Sequence, residues 1–479
     1  MNDKQPKPIS LHPDNPHYFL FRGKPAVLIT SAEHYGAVIN LDFDYVPYLD
    51  CLAEHRLNYT RIYPGALIEK EGDFIPENTL APRSDRLVLP WARSSTPGFA
   101  MGGNKFDLDT WDEQYFTRLR DFVAKCSERE VVVEICFFNC QYEKNWSLQA
   151  LYHTNNIQGE GTCDCAGFQT LRDKALVARQ EAYVAKIVLE VNGYDNVILE
   201  ICDEPGIFGT PAEEYHPWIS RLIDVAVEAE SSLANKHLIA QQMEGELDGP
   251  GDFSADERVS VIVGQYVWMS SAKQIGGMRL LQTDYDDHDK VIELNESAYY
   301  PVWYNGDREA ASRVEAWEFI VGGGAGYNHL NGMFTVTNPA GGDRYSNNEK
   351  VLNAFMHLRN FIESFDFIRM HRDTATIMDG VPADAFGQCL SEPALQYAFY
   401  IHHSLLRGGM YIVRPGEHQD NILFDLPPAH YEVQWLNPEM GLVVSKERFR
   451  HFGGKVALPT PVYSVDMALK IIGTPLARP

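Results

Sequence analysis

The segment NVILEICDEP, from Asn196 to Pro205, is of strand length and apolar at Val197, Ile198, Leu199 and Ile201 before it ends in two carboxylates and a proline. A run so uniformly apolar and rich in β-branched residues belongs to a strand covered on both faces, the condition of a parallel sheet. Pro205 cannot continue a hydrogen-bond ladder, so Glu204 stands where a strand becomes a loop. Similar runs alternate with helical stretches through the first two thirds of the chain. That alternation predicts a parallel sheet with helices outside it, closed as a barrel. In barrel and open α/β enzymes, catalytic groups collect at the carboxyl-terminal edge of such strands.

A second segment, KVIELNES from Lys290 to Ser297, has the same shape, a short apolar run that ends in Glu296 and continues into SAYYPVW. The pairing carries chemical meaning. Glycoside hydrolysis needs one neutral carboxylic acid to protonate the leaving oxygen and one carboxylate to attack the anomeric carbon or activate water. Two strand-end glutamates meet that need. Glu293 competes with Glu296 within the second run, but it lies mid-strand, at the wrong end for chemistry.

On these residues the chain resembles the clan-A retaining glycoside hydrolases, (β/α)₈ barrels with the acid/base on the fourth strand and the nucleophile on the seventh. CDEP, residues 202 to 205, is similar to the clan's Asn-Glu-Pro signature, which implies Glu204 as general acid/base; KVIELNES implies Glu296 as nucleophile. HRLNYTRIYPG resembles the second strand, and the resemblance gives Arg61 the role of supporting the nucleophile, as a fork of donors that keeps a carboxylate ionised. VIVGQYVW is similar to the sixth strand, with Tyr266 matching its tyrosine and Gln265 standing where histidine is common. The first strand ends in Glu33, His34 and Tyr35, the third near Asn139, and the eighth near Asn328 and His329. The resemblance implies that these residues line the subsite of the sugar being cleaved. It covers roughly residues 20 to 365 and points to a cellulase-like branch.

One departure stands out. The clan's Asn before the acid/base donates to the substrate 2-hydroxyl, whereas an ionised Asp203 only accepts. The 2-hydroxyl would then donate, and the second carboxylate beside Glu204 would raise the pKa of the acid.

A length of 479 residues accommodates one barrel, commonly ~250 residues or more, plus one small domain. We expect a catalytic barrel with an N-terminal extension over residues 1–368 and an antiparallel β-sandwich over 369–479, where short alternating runs such as ALQYAFYIHH and YEVQWLNP replace helical periodicity. Lys and Arg total 41 against 66 Asp and Glu, a net charge of −25, which argues against nucleic-acid and anionic-membrane partners and favours a neutral substrate, which the resemblance implies is a carbohydrate. A homo-oligomer stays open. The amino terminus has no apolar h-region, and a cytoplasmic location is the expectation. Eight cysteines do not form a disulfide scaffold. Cys136, Cys140 and Cys202 lie on or beside strands as small hydrophobes, and the Cys163–Cys165 pair has poor zinc spacing. No metal or cofactor is expected.

TWDEQYFTRLRDFVAKC predicts a helix opened by a capping box of Thr110 and Glu113, with Tyr115, Leu119, Phe122, Val123 and Cys126 on one face. Residues 169–192 and 211–233 predict two more. Long loops over 64–108 and 140–167 are candidate cleft walls. Of the aromatics near strand ends, Trp146, Trp268, Tyr299, Tyr300 and Trp303, about half are expected to stack on sugar. The expected activity is retaining hydrolysis of a β-linked glycoside by double displacement, with a non-cleaving carbohydrate-binding barrel and a transglycosylase as the alternatives.

Overall fold

The computed structural model describes residues 7–244, 252–268, 270–271, 274–297, 299, 304, 306–330, 332–342 and 348–476. Eight strands make one sheet: β1 Leu28–Ala32, β2 Tyr59–Ile62, β3 Val132–Asn139, β4 Val197–Asp203, β5 Leu238–Gln242, β6 Val261–Gln265, β7 Val291–Glu296 and β8 Gly326–Leu330. Their order is β1-β8-β7-β6-β5-β4-β3-β2, with every paired neighbour parallel. Helices follow most strands: α1 Tyr45–Glu54, α2 Glu113–Glu128, α3 Lys174–Val191, α4 Ala212–Glu230, α5 Gly277–Thr283, α6 Arg308–Val321 and α7 Asn348–Ile362. The architecture is a (β/α)₈ barrel, and β3 and β4 are buried at every residue, as their apolar runs require.

No ladder joins β1 to β2, so the barrel closes there by other means. Asn58, just before β2, accepts from Ile29 N at 3.0 Å through Oδ1 and donates from Nδ2 to Val27 O at 2.8 Å, while its own backbone N donates to Ile29 O at 3.3 Å. One asparagine thus satisfies strand groups that a neighbouring strand would otherwise meet.

Helix α2 buries the expected face, Tyr115, Leu119, Phe122, Val123 and Cys126, with Phe116 added. Its cap differs from the expected box. Asp112 accepts from Gln114 N at 2.9 Å as the N-cap, and the Thr110 hydroxyl donates instead to Asp107 at 3.0 Å. The stretch 64–108 is also more ordered than a plain loop, because Trp91–Pro97 and Asn104–Trp111 pair as an antiparallel hairpin. A small antiparallel sheet, Ser10–His12, Asn15–Phe21 and Lys24–Ala26, precedes the barrel.

From His371 to Pro475 the chain is antiparallel, a larger sheet facing a three-stranded one over a core that includes Phe399, Phe424, Val433 and Leu469. This is the expected sandwich. It shares core with the barrel, since Leu390, Ala398, Tyr400 and Tyr411 cluster with barrel residues. Helix α6 lies between the two and is buried from Ala310 through Val321, the pattern of a helix with no wet face. Arg313 on α6 holds Asp466 of the sandwich through two bonds of 3.0 and 2.9 Å. Among the described residues no helix is long and apolar enough to cross a membrane.

The clasp at Asn58 is testable. Asn58→Ala leaves Ile29 N and Val27 O buried without side-chain partners, and urea unfolding should show a loss of about 2–4 kcal/mol, with far-ultraviolet circular dichroism unchanged before the transition.

Candidate active site

The barrel interior is organised around Arg61. This residue lies on β2, fully buried, and its fork engages Glu200 of β4 through Nε and Nη2, each at 2.7 Å. Nη2 also lies 2.9 Å from Asp203 Oδ1, Nε lies 3.5 Å from Glu134 of β3, and Nη1 lies 3.6 Å from Glu296 Oε2. The resemblance gave Arg61 to the nucleophile alone. The structure makes Glu200 and Asp203 its near partners, with Glu296 at the edge of its reach. Glu293 sits below, mid-strand as expected, accepting from Tyr59.

One cation among so many carboxylates leaves most of them short of compensation. Burial, and then the charge of Glu293, push Glu134 up to about 8. Burial pushes Glu293 up to about 7. Glu200 is also raised by burial, with Arg61 opposing. Glu134 and Glu293 thus keep their protons well above the ordinary carboxylate range.

Above this layer the strand ends deliver a cavity of about 150 Å³ whose lining includes Asp203, Glu204, Tyr266 and Glu296. Glu204 follows β4 directly and has φ 47°, while Tyr266 after β6 has φ 57° and Tyr35 after β1 has φ 62°. All three line the cavity. Non-glycine residues in this left-handed region are strained and cluster at functional sites; here the turn re-aims each side chain at the strand end. A bulge at Gln265 sets it opposite Glu296, and Tyr266 N donates to Glu296 O at 2.9 Å.

Glu204 is embraced by donors. Gln265 Nε2 reaches Oε1 at 2.9 Å, and the Cys140 thiol and Tyr142 hydroxyl each reach Oε2 at 3.3 Å. Its backbone N donates to Gln242 Oε1 at 3.0 Å. Burial, and then the adjacent Asp203 charge, nevertheless push its carboxyl up to about 7. Glu296 is raised too, by burial and by the charges of Asp203 and Glu204, with Arg61 opposing. Asp203 itself accepts from the Tyr63 hydroxyl and from Asn139 Nδ2 at 2.5 Å. Gln265, the departure from histidine noted in the sequence, is therefore a direct donor to Glu204.

Of the remaining expected residues, His34 and Asn139 line the cavity, and His34 Nε2 lies 2.8 Å from Glu69 Oε2. Several others do not. Glu33 points back into the fold, accepting from Gly36 N at 3.1 Å, Ala37 N at 3.2 Å and the Thr79 hydroxyl. Asn328 acts from behind, donating to the Tyr35 hydroxyl at 2.8 Å and to Asn295 O at 2.9 Å. His329 is core, with Ser312 Oγ 3.1 Å from Nε2, and burial pushes its pKa down to about 3. Trp146 is also core, donating to Cys163 O at 2.8 Å. Trp268 and Tyr299 turn toward the sandwich. Tyr300 and Trp303 lie outside the described residues. Among the described residues no group of three or more His, Cys, Asp or Glu side chains is arranged to hold a metal ion.

The cavity wall also contains Tyr63, Leu67, Glu69, Phe74, Tyr142 and Leu330, which the sequence did not single out. Tyr63 had a usable signal, because it lies two residues after Arg61 and so shares its side of the strand. Glu69 and Phe74 belong to an aperiodic loop that offers none.

No family model matches this sequence, and no curated protein matches it. Solved structures do resemble the fold. A glycoside hydrolase family 5 protein from Bacteroides vulgatus aligns over 97% of this chain and 93% of its own at 11% identity, with a TM-score of 0.62. A second structure, named a glycoside hydrolase, aligns over 97% of both chains at 10% identity and a TM-score of 0.62. At such identities the likeness establishes a shared fold, barrel and sandwich together.

The buried acids dictate a pH dependence of stability. In the unfolded chain these carboxyls lose their protons near the ordinary value of 4.5, whereas in the fold Glu134 keeps its proton to about 8 and Glu293 to about 7. The native state therefore binds more protons across that window, and stability falls as pH rises through it. The urea midpoint should be higher at pH 5 than at pH 8, and Glu134→Gln should flatten the difference.

Proposed function

We propose that this chain is a retaining glycosidase that cleaves a β-linked glycoside by double displacement. The observation that carries the reading is the pair of strand-end glutamates, Glu204 and Glu296, on the wall of one small cavity. Two anions so placed disfavour each other, so the pair keeps one proton between them at neutral pH. Arg61 Nη1 lies 3.6 Å from Glu296 and holds the negative charge there, which leaves the proton on Glu204. Glu296 then attacks the anomeric carbon while Glu204 protonates the leaving oxygen. In the second half Glu204 takes a proton from water, which displaces Glu296. The fold shared with a glycoside hydrolase family 5 protein supports the assignment.

The cavity of about 150 Å³ equals about five waters' share of liquid volume, room for one sugar ring. The lining offers carboxylates and tyrosines and, among the described residues, no lysine or arginine, which favours a neutral ring. Asp203 serves the 2-hydroxyl as an acceptor, the reverse of the asparagine it replaces. Its orientation by Tyr63, Asn139 and Arg61 suits that role.

A panel of aryl β-glycosides tests the proposal. Glu204→Gln should lower kcat/KM about 10²–10⁴-fold on substrates with poor leaving groups, with far less loss of kcat/KM on dinitrophenyl glycosides, whose departure needs no acid. Glu296→Gln should abolish turnover on all of them. Activity should fall as pH rises past about 7, where Glu204 loses the proton it must donate. Proton nuclear magnetic resonance of the first-formed sugar should show the β-anomer; an inverted product would sink the mechanism. Asp203→Asn should reduce activity on substrates with a 2-hydroxyl, and equal or higher activity would remove Asp203 from that role.

A further inference from the structure

Trp268 and Tyr299, two aromatics expected in the cleft, both turn to one residue of the sandwich. Trp268 lies two residues after Tyr266, and Tyr299 three residues after Glu296. The Trp268 indole N–H donates to the Tyr411 hydroxyl, and Trp268 N donates to Gly409 O at 3.3 Å. From the other side, Tyr411 N donates to the Tyr299 hydroxyl at 3.4 Å, and that hydroxyl donates to Glu315 of α6 at 2.7 Å.

Tyr411 is itself held firmly. It is fully buried on the hairpin formed by Gln396–Arg407 and Met410–Val413, edge-on to Phe386 at 5.0 Å and His402 at 4.7 Å between ring centres. Its hydroxyl donates to the carboxylate of Glu318 on α6. Gln388 Nε2 reaches the same carboxylate at 3.1 Å, and His402 Nε2 lies 3.3 Å from it. The loops after β6 and β7 leave the ladder at Gln265 and Glu296, and the bonds of Trp268 and Tyr299 add to the few backbone bonds that hold them beyond those points.

We propose that Tyr411 is a positioning residue for the active site, through which the sandwich hairpin fixes the two loops that carry Tyr266 and Glu296. The proposal rests on the glycosidase reading above. Its physical basis is that Tyr411 meets one loop through its buried hydroxyl, which accepts from Trp268, and the other through its backbone N–H, which donates to Tyr299, and small displacements of a nucleophile cost large factors in rate. A merely adhesive role between barrel and sandwich belongs to a different pair, Arg313 and Asp466, which touches neither loop.

The experiment compares Tyr411→Phe with Asp466→Asn in the full chain. Tyr411→Phe keeps the ring and removes only the hydroxyl; kcat on an aryl β-glycoside should fall about tenfold or more, with KM changed less than about twofold. Asp466→Asn should lower the urea midpoint and leave kcat at the wild-type value. Trp268→Phe, which removes the same bond from the opposite end, should repeat the loss of kcat and stands in if Tyr411→Phe fails to fold. Backbone amide exchange over residues 264–268, the loop that the Tyr411 hydroxyl holds through Trp268, measured without substrate, should rise in Tyr411→Phe and not in Asp466→Asn. A wild-type kcat in Tyr411→Phe overturns the proposal, as does a loss of kcat in Asp466→Asn proportional to its loss of stability. If the wild type turns over no glycoside the function fails separately, and the exchange decides the brace: raised exchange supports it, unchanged exchange overturns it.

Discussion

A single guanidinium reconciles the interior of this barrel with its charge. Arg61 is buried between Glu200 and Asp203, within reach of Glu134 and Glu296, and no other cation enters that cluster among the described residues. Removing one partner of a buried pair strands the other, at a cost of about 3–5 kcal/mol, so the strand positions of β2, β3, β4 and β7 are tied to one side chain. The surplus carboxyls solve the remaining problem by keeping their protons. The strand ends above inherit that arrangement: Glu296 has a cation within reach, and Glu204 is met by the donors of Gln265, Cys140 and Tyr142.

The glutamines and tyrosines around Glu204 and Asp203 do a different kind of work. Gln242 and Gln265 orient the Glu204 backbone and carboxylate, and Tyr63 with Asn139 orients Asp203. Each is a buried polar group that would be costly without its partner. Their value lies in holding acids in one geometry before any ligand arrives, which is the structural form of preorganisation.

Much of this was legible from residue order because a buried strand that ends in a carboxylate fixes both the height and the end of the barrel at which that group stands. Glu204, Glu296, Tyr266 and Asn139 met in one cavity for that reason. Height alone does not fix direction. Glu33 and His329 also stand at strand ends, yet the first turns to cap its own loop against Thr79 and the second packs between β1 and α6. Trp268 and Tyr299 were drawn off by a hairpin more than a hundred residues away in sequence, a partner that local pattern cannot reveal. Glu69 and Phe74 reach the cavity from an irregular loop, where no periodicity marks the inward side.

The seam between β1 and β2 bears on the cavity as well. Directly above it stand Tyr35 and Tyr63, joined by Tyr63 N donating to Tyr35 O at 3.0 Å, and both rings face Arg61 at 5.1 and 5.4 Å. Elsewhere in the barrel the spacing of neighbouring walls is set by the pitch of a backbone ladder, which a side-chain substitution cannot alter. Here two isolated backbone bonds are joined by the side chain of Asn58, which shares in setting it. One wall of the cavity therefore depends on a side chain that does not line it.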